Sequence, residues 1–86
     1  MIKLKITKAS GEVSEHLITP VIEYAFEQYA KKGFYRAFRE DQKQTDAYWL
    51  AWECLRRSGD AVKPFGVEFL ESILSVDVLD ADTPNG

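Results

Sequence analysis

One cysteine, one histidine, one methionine, three prolines and five glycines stand among the 86 residues. The single cysteine, Cys54, excludes an internal disulfide and any cysteine-cluster zinc site. The single histidine, His16, has no second histidine and no cysteine beside it in the sequence. A solvent-facing place on a strand is therefore expected for it, and no metal. No apolar run approaches the ~18–20 residues that cross a bilayer, and the N-terminus alternates lysine with apolar residues instead of building the apolar stretch of a secretion signal. The chain accordingly reads as cytosolic, with no membrane partner. Its net charge of −3 is too small, and of the wrong sign, for a dedicated nucleic-acid binder. Reactive constellations are also missing. Cys54 lies in an apolar helix face with no basic neighbour to lower its pKa. Ser10-Gly11 and Ser58-Gly59 fit neither a nucleophile elbow nor a phosphate loop. Glu23 and Glu27 fall on a solvated helix face. No enzymatic activity and no cofactor are expected.

What is present in excess is aromatic. Phe, Tyr and Trp make up 13% of the chain. A domain of this length hides only about 60–65% of the surface its unfolded chain exposes, which points to self-association or a partner. Apolar residues at 45% and charged residues at 29% are the mix of one folded domain. The charge is uneven: Lys3, Lys5 and Lys8 at the start, a basic excess over 31–43, and Asp77, Asp80 and Asp82 at the end.

Ile2, Leu4 and Ile6 alternate with Lys3, Lys5 and Thr7, the period of a half-buried strand. Ala9-Ser10-Gly11 supplies a turn, and Glu12–Ile18 forms a weaker second strand with Val13 and Leu17 on either side of Glu15. Two strands alone are marginal in water, so the hairpin must lay its apolar face on the helices that follow. Thr19-Pro20 reads as an N-cap with proline at the first helical position. Val21, Ile22, Ala25, Phe26 and Tyr29 form the buried stripe of that helix, Glu27 is placed to pair with Lys31, and Gly33 suits its C-terminal end. A short amphipathic piece carries Phe34, Tyr35 and Phe38, and 41–44 is a polar loop. Thr45 is expected to cap the next helix, whose segment Ala47-Tyr48-Trp49-Leu50-Ala51-Trp52 is uncharged all round until Glu53. Such a helix is central to its domain or shared with another chain. Gly59 ends it. Pro64 starts a last helix, in which Phe65, Phe69, Leu70, Ile73 and Leu74 recur at helical spacing. Val76 and Val78 then form a short strand or extended segment. The expected fold is α+β, mainly α: an N-terminal β-hairpin, three main helices and a short extended acidic tail. Residues 1–79 form the globular domain, with Phe26, Trp52, Leu55 and Phe69 in its core, and 80–86 form a disordered tail.

Lys31-Lys32-Gly33-Phe34-Tyr35-Arg36 interleaves bases with aromatics, as single-strand binders do. The helical spacing instead turns the rings inward and leaves the bases wet. Trp49 and Trp52 cannot both point at one core from a single helix, and Tyr48 competes with Trp52. Core packing and an interface explain the pair equally well. Phe34, Tyr35, Phe38, Tyr48, Trp49 and Trp52 are the candidate residues for partner binding or self-association.

The order of elements, the segment Thr45-Asp46-Ala47-Tyr48-Trp49-Leu50-Ala51-Trp52, the following Leu55-Arg56-Arg57-Ser58-Gly59, and the acidic end with its late proline together resemble the small tail assembly chaperones of long-tailed bacteriophages. That resemblance spans nearly the whole chain. It implies a protein of the infected bacterial cytoplasm, absent from the mature virion, that binds the tape measure protein, keeps it soluble and helps recruit tail tube subunits, acting as a homo-oligomer. A small cytosolic adaptor or regulatory dimer, or a weak nucleic-acid binder using the bases of 31–43, are the alternatives.

Overall fold

A computed structural model describes residues 2–80 of the chain. It is a small α+β domain: β1 (Ile2–Lys8), β2 (Val13–Leu17), α1 (Pro20–Ala30), α2 (Phe34–Arg36) running into a π-helical turn (Ala37–Asp41), α3 (Gln44–Arg57), α4 (Val67–Glu71) and β3 (Ile73–Asp80). The three strands form one antiparallel sheet in the order β2-β1-β3. Leu4 lies opposite His16 and Val78, and Ile6 opposite Ser14 and Val76. Because side chains alternate along a strand, these six residues share one face, which the helices cover. Lys3, Lys5, Val13, Glu15, Leu17, Asp77 and Leu79 share the other, which none of the described helices covers. Half-covered antiparallel sheets of this kind are common.

The register corrects the reading of β2. Its inward positions are Ser14 and His16, both half-buried, while Val13 and Leu17 are 51% and 52% exposed. The parity is set by Ile18, buried at 1%, which continues the inward row 14, 16, 18 into the core. His16 therefore faces the helices, not solvent.

The C-terminal region also differs. The helix expected from Pro64 to Leu74 is confined to Val67–Glu71, and Ile73 and Leu74 begin β3. A shift in register between Thr7 and Lys8 leaves Leu74 as the extra residue of a bulge, 71% exposed. Helical spacing was misleading here because pairing with β1 satisfies a whole row of backbone groups, and tertiary pairing overrides a short apolar period. Asp80 belongs to β3; the remainder of the expected tail, 81–86, lies outside the described residues.

Two helix ends lie elsewhere than the sequence predicts. Thr19 does cap α1, its Oγ1 accepting from Ile22 N at 3.4 Å, with Pro20 first in the helix. At the other end Lys31, not Gly33, takes the left-handed conformation (φ 59°, ψ 36°), and Gly33 is extended ahead of α2. Glu27 is not spent on Lys31: its Oε2 accepts from Phe34 N at 2.8 Å and so caps α2. Helix α3 starts at Gln44, with Lys43 extended before it and Thr45 inside the helix.

The core forms between β1 and the helices: Leu4, Ile6, Ile18, Phe26, Phe34, Leu50, Leu55 and Phe69 are all buried to 2% exposure or less. Trp52, expected among them, is only partly buried.

Candidate protein-binding surface

The six aromatic candidates separate into two groups. Phe34, Phe38 and Trp49 are buried around Phe26, with ring centroids 5.7, 5.0 and 6.0 Å from it. Tyr29 stacks flat on Trp49 at 4.5 Å, although Tyr29 itself stays 43% exposed. The cluster is possible because α1, α2, the π-helical turn and α3 each contribute rings to one centre. Edge-to-face and offset contacts of this kind add to the burial of area.

Tyr35, Tyr48 and Trp52 remain within reach of a partner. Tyr35 is 48% exposed, its ring edge-on to Phe34 and covered on one side by the Arg39 guanidinium at 5.4 Å. Half-buried Tyr48 shares a small cleft of about 120 Å³ with Leu70, Ile73 and Leu74. Trp52 donates Nε1–H to the Lys63 carbonyl at 2.8 Å and lies under the Arg56 guanidinium at 5.5 Å. That hydrogen bond pins the irregular segment before α4, so Trp52 has a structural duty as well as a surface.

Further apolar exposure lies where no aromatic motif signals it. Val13, Leu17 and Leu79 stand on the open sheet face beside Lys3, which pairs with Glu15 at 3.0 Å. On α1, Val21 and Tyr24 are 54% and 66% exposed, so Val21 falls outside the buried stripe expected for it. The parity of Ile18 was the available signal for the sheet face; the outward turn of Val21 and Tyr24 follows only from how α1 sits on α3.

Some charges on this domain join elements, and others pair within one helix. The Lys32 ammonium reaches Asp41 at 3.1 Å and Asp46 at 2.9 Å, tying the end of α1 to the π-helical turn and the start of α3. Both carboxylates hold the Lys32 pKa above its ordinary value. Glu53, 1% exposed, is gripped by Arg56 at 3.0 Å and by Arg57. Lys8 bonds Asp60 at 2.8 Å and meets Glu12 at 3.4 Å. The Asp60 hydrogen bond raises its pKa despite some desolvation. A cleft of about 350 Å³ opens beside this pair, lined also by Leu55, Phe69 and Ser72.

The chemistry these groups offer is weak. Burial, with Glu53 adjacent, pushes the Cys54 thiol up to about 12, which keeps it protonated and unreactive. Desolvation lowers the His16 pKa, and Lys8 lowers it further against the opposing pull of Asp60. Among the described residues, no group of three or more His, Cys, Asp or Glu side chains is placed to hold a metal ion, and no helix is long and apolar enough to cross a membrane. No model of a known protein family matches the chain, and neither the curated proteins nor the solved structures compared with it give a match.

Proposed function

We infer that this chain is a non-enzymatic, protein-binding domain serving phage tail assembly: a chaperone that binds the tape measure protein, keeps it soluble and helps recruit tail tube subunits. The sequence resemblance carried by Thr45–Trp52 and Leu55–Gly59 supplies the identity of the partner. The observation that carries the binding role is the distribution of apolar exposure. An uncovered sheet face holds Val13, Leu17 and Leu79, and α1 and α2 expose Val21, Tyr24 and Tyr35, while Lys3, Lys8 and Lys32 are engaged in ion pairs that hold the fold. Apolar surface left open in this way suits an adhesive partner of extended shape. Copies of the chain stacked along a tape measure protein would cover it.

Co-expression with a tape measure protein tests the reading. The expected result is that the long partner stays in the soluble fraction and co-purifies with the chain. A partner that precipitates equally with and without the chain, across several candidate tape measure proteins, overturns it.

A further inference from the structure

Among the described residues, strand β3 is one of the two edges of the sheet, and its only strand partner is β1. The unpaired side of an edge strand offers a row of backbone donors and acceptors. Here that row runs beside a groove. Two clefts of about 330 Å³ each lie end to end along β3 and share Phe38, Gln42 and Val78; the first also has Ala47 and Val76 in its wall, the second Leu79. We propose that this edge is a docking site for an extended segment of another protein, which adds to the sheet as a fourth strand with alternating apolar and basic side chains.

The pattern of the incoming strand follows from what each of its faces meets. On the inner face Val76 and Val78 are its lateral neighbours, and the wall opposite carries Phe38 and Ala47. Lys43, just ahead of α3, also lines that wall, so apolar residues are welcome there and basic ones are repelled. On the outer face its neighbours are the exposed Ser75, Asp77 and Leu79; Asp77 is the charged one, and its other lateral neighbour is Lys5. Opposite charges across strands attract and like charges repel. The strand β3 already accepts is β1, in which Leu4, Lys5 and Ile6 lie opposite Val78, Asp77 and Val76. A fourth strand meets the same row of side chains from the other side.

A second copy of this chain fits the edge poorly. Antiparallel pairing of β3 with itself, in either face-matched register that joins seven of its eight residues, brings the two Asp77 carboxylates directly or diagonally opposite. The other free edge, β2, carries Glu15 on the same outer face. Each edge thus carries one carboxylate on the outside, that of β2 already paired with Lys3; the unpaired side of Asp77 discourages edge-to-edge self-association of β3 and favours a basic strand. The site does not depend on the chain serving tail assembly.

Two synthetic peptides of about seven residues, one alternating valine with lysine and one alternating valine with glutamate, test the proposal by NMR titration of the whole chain. The valine–lysine peptide is expected to shift the amide signals of 74–80 and of Phe38 and Ala47 saturably, and to bind about three- to tenfold more tightly than the valine–glutamate peptide. Asp77→Lys should reverse that order, and Asp77→Asn should bring the two peptides together; circular dichroism confirms that each variant is folded. Equal affinities regardless of residue 77, shifts confined to other surfaces, or no shift with either peptide overturn the proposal. So does a concentration-dependent dimer that protects the amides of 74–80 from exchange, which would assign the edge to a second copy.

Discussion

Glu53 is buried at 1% near the end of α3, with its carboxylate held by Arg56 and Arg57, whose side chains are 49% and 41% exposed. A buried charge is costly unless it keeps its partners, yet replacing it by an apolar side chain of similar volume is often neutral. The double variant Arg56→Ala, Arg57→Ala is therefore expected to lose about 3–5 kcal/mol of unfolding free energy, while Glu53→Met stays within about 1 kcal/mol of the parent. Urea titrations of the three proteins decide this. If Glu53→Met loses as much as the double variant, the carboxylate does more than occupy its site. His16 gives a pH signature. Its pKa is lowered in the folded chain, chiefly by desolvation, so the unfolded chain binds more protons wherever the imidazole titrates. Stability is then full above the ordinary histidine pKa of about 6.5 and falls as the pH drops through it. His16→Gln should flatten the thermal midpoint between about pH 7 and pH 5. Glu15, held low mainly by its hydrogen bond to Lys3, adds a separate loss only at lower pH, below the ordinary carboxylate range.

At the scale of elements, the junction between α1 and α2 governs how the aromatic cluster closes. Lys31 holds a left-handed backbone there, a conformation that costs a residue with a Cβ about 1–2 kcal/mol. Lys31→Gly relieves that strain and loses some of the gain to the greater freedom of glycine in the unfolded chain. The expected net effect is a stabilisation of about 0.5–1 kcal/mol, visible as a higher midpoint in thermal melts. Glu27→Ala acts in the opposite direction. It removes the acceptor of Phe34 N–H, and loss of a charge-assisted cap at a helix start costs about 1–2 kcal/mol. Amide exchange should accelerate at Phe34 and its neighbours well before it does in β1; unchanged protection at Phe34 would mean that the helix start is held by something other than this carboxylate.

For the molecule as a whole, the division between rings that build the core and rings that face out is directly testable. Phe34→Ala should cost about 3–5 kcal/mol, the usual range for a fully buried phenylalanine. Tyr35→Ala, one position along, should cost less than about 1 kcal/mol and instead weaken capture of a tape measure protein by about 1–3 kcal/mol if Tyr35 anchors it. Co-purification yield at matched fold stability separates the two effects. Capture through apolar surface should also change little with salt, since screening acts on exposed charges and not on apolar contact. A complex lost between low and moderate salt, with Tyr35→Ala silent, would replace the apolar reading with an electrostatic one.

The alternation of Ile2, Leu4 and Ile6, the cap and proline at Thr19-Pro20, and the apolar run of α3 were each readable from the chain, because local periodicity and capping chemistry depend on residues a few positions apart. They sufficed for the α+β class and for the burial of Phe26, Leu55 and Phe69. What remained was decided by contacts between residues distant in sequence. The inward turn of Ser14 and His16 depends on the register of β2 against β1, and a one-residue difference in register turns every side chain of a strand to the other face. The conversion of Ile73 and Leu74 from helix to strand depends on β1 offering a free side for β3. The burial of Asp46 and Glu53 depends on Lys32 and on two arginines reaching them. Of the aromatic residues, for which core and interface stood open, Phe34, Phe38 and Trp49 are interior because four segments converge on Phe26. Besides Val21, Tyr24 and Tyr35 on the helices, the surface left open lies on a sheet face and a sheet edge, which come into being only when the three strands pair.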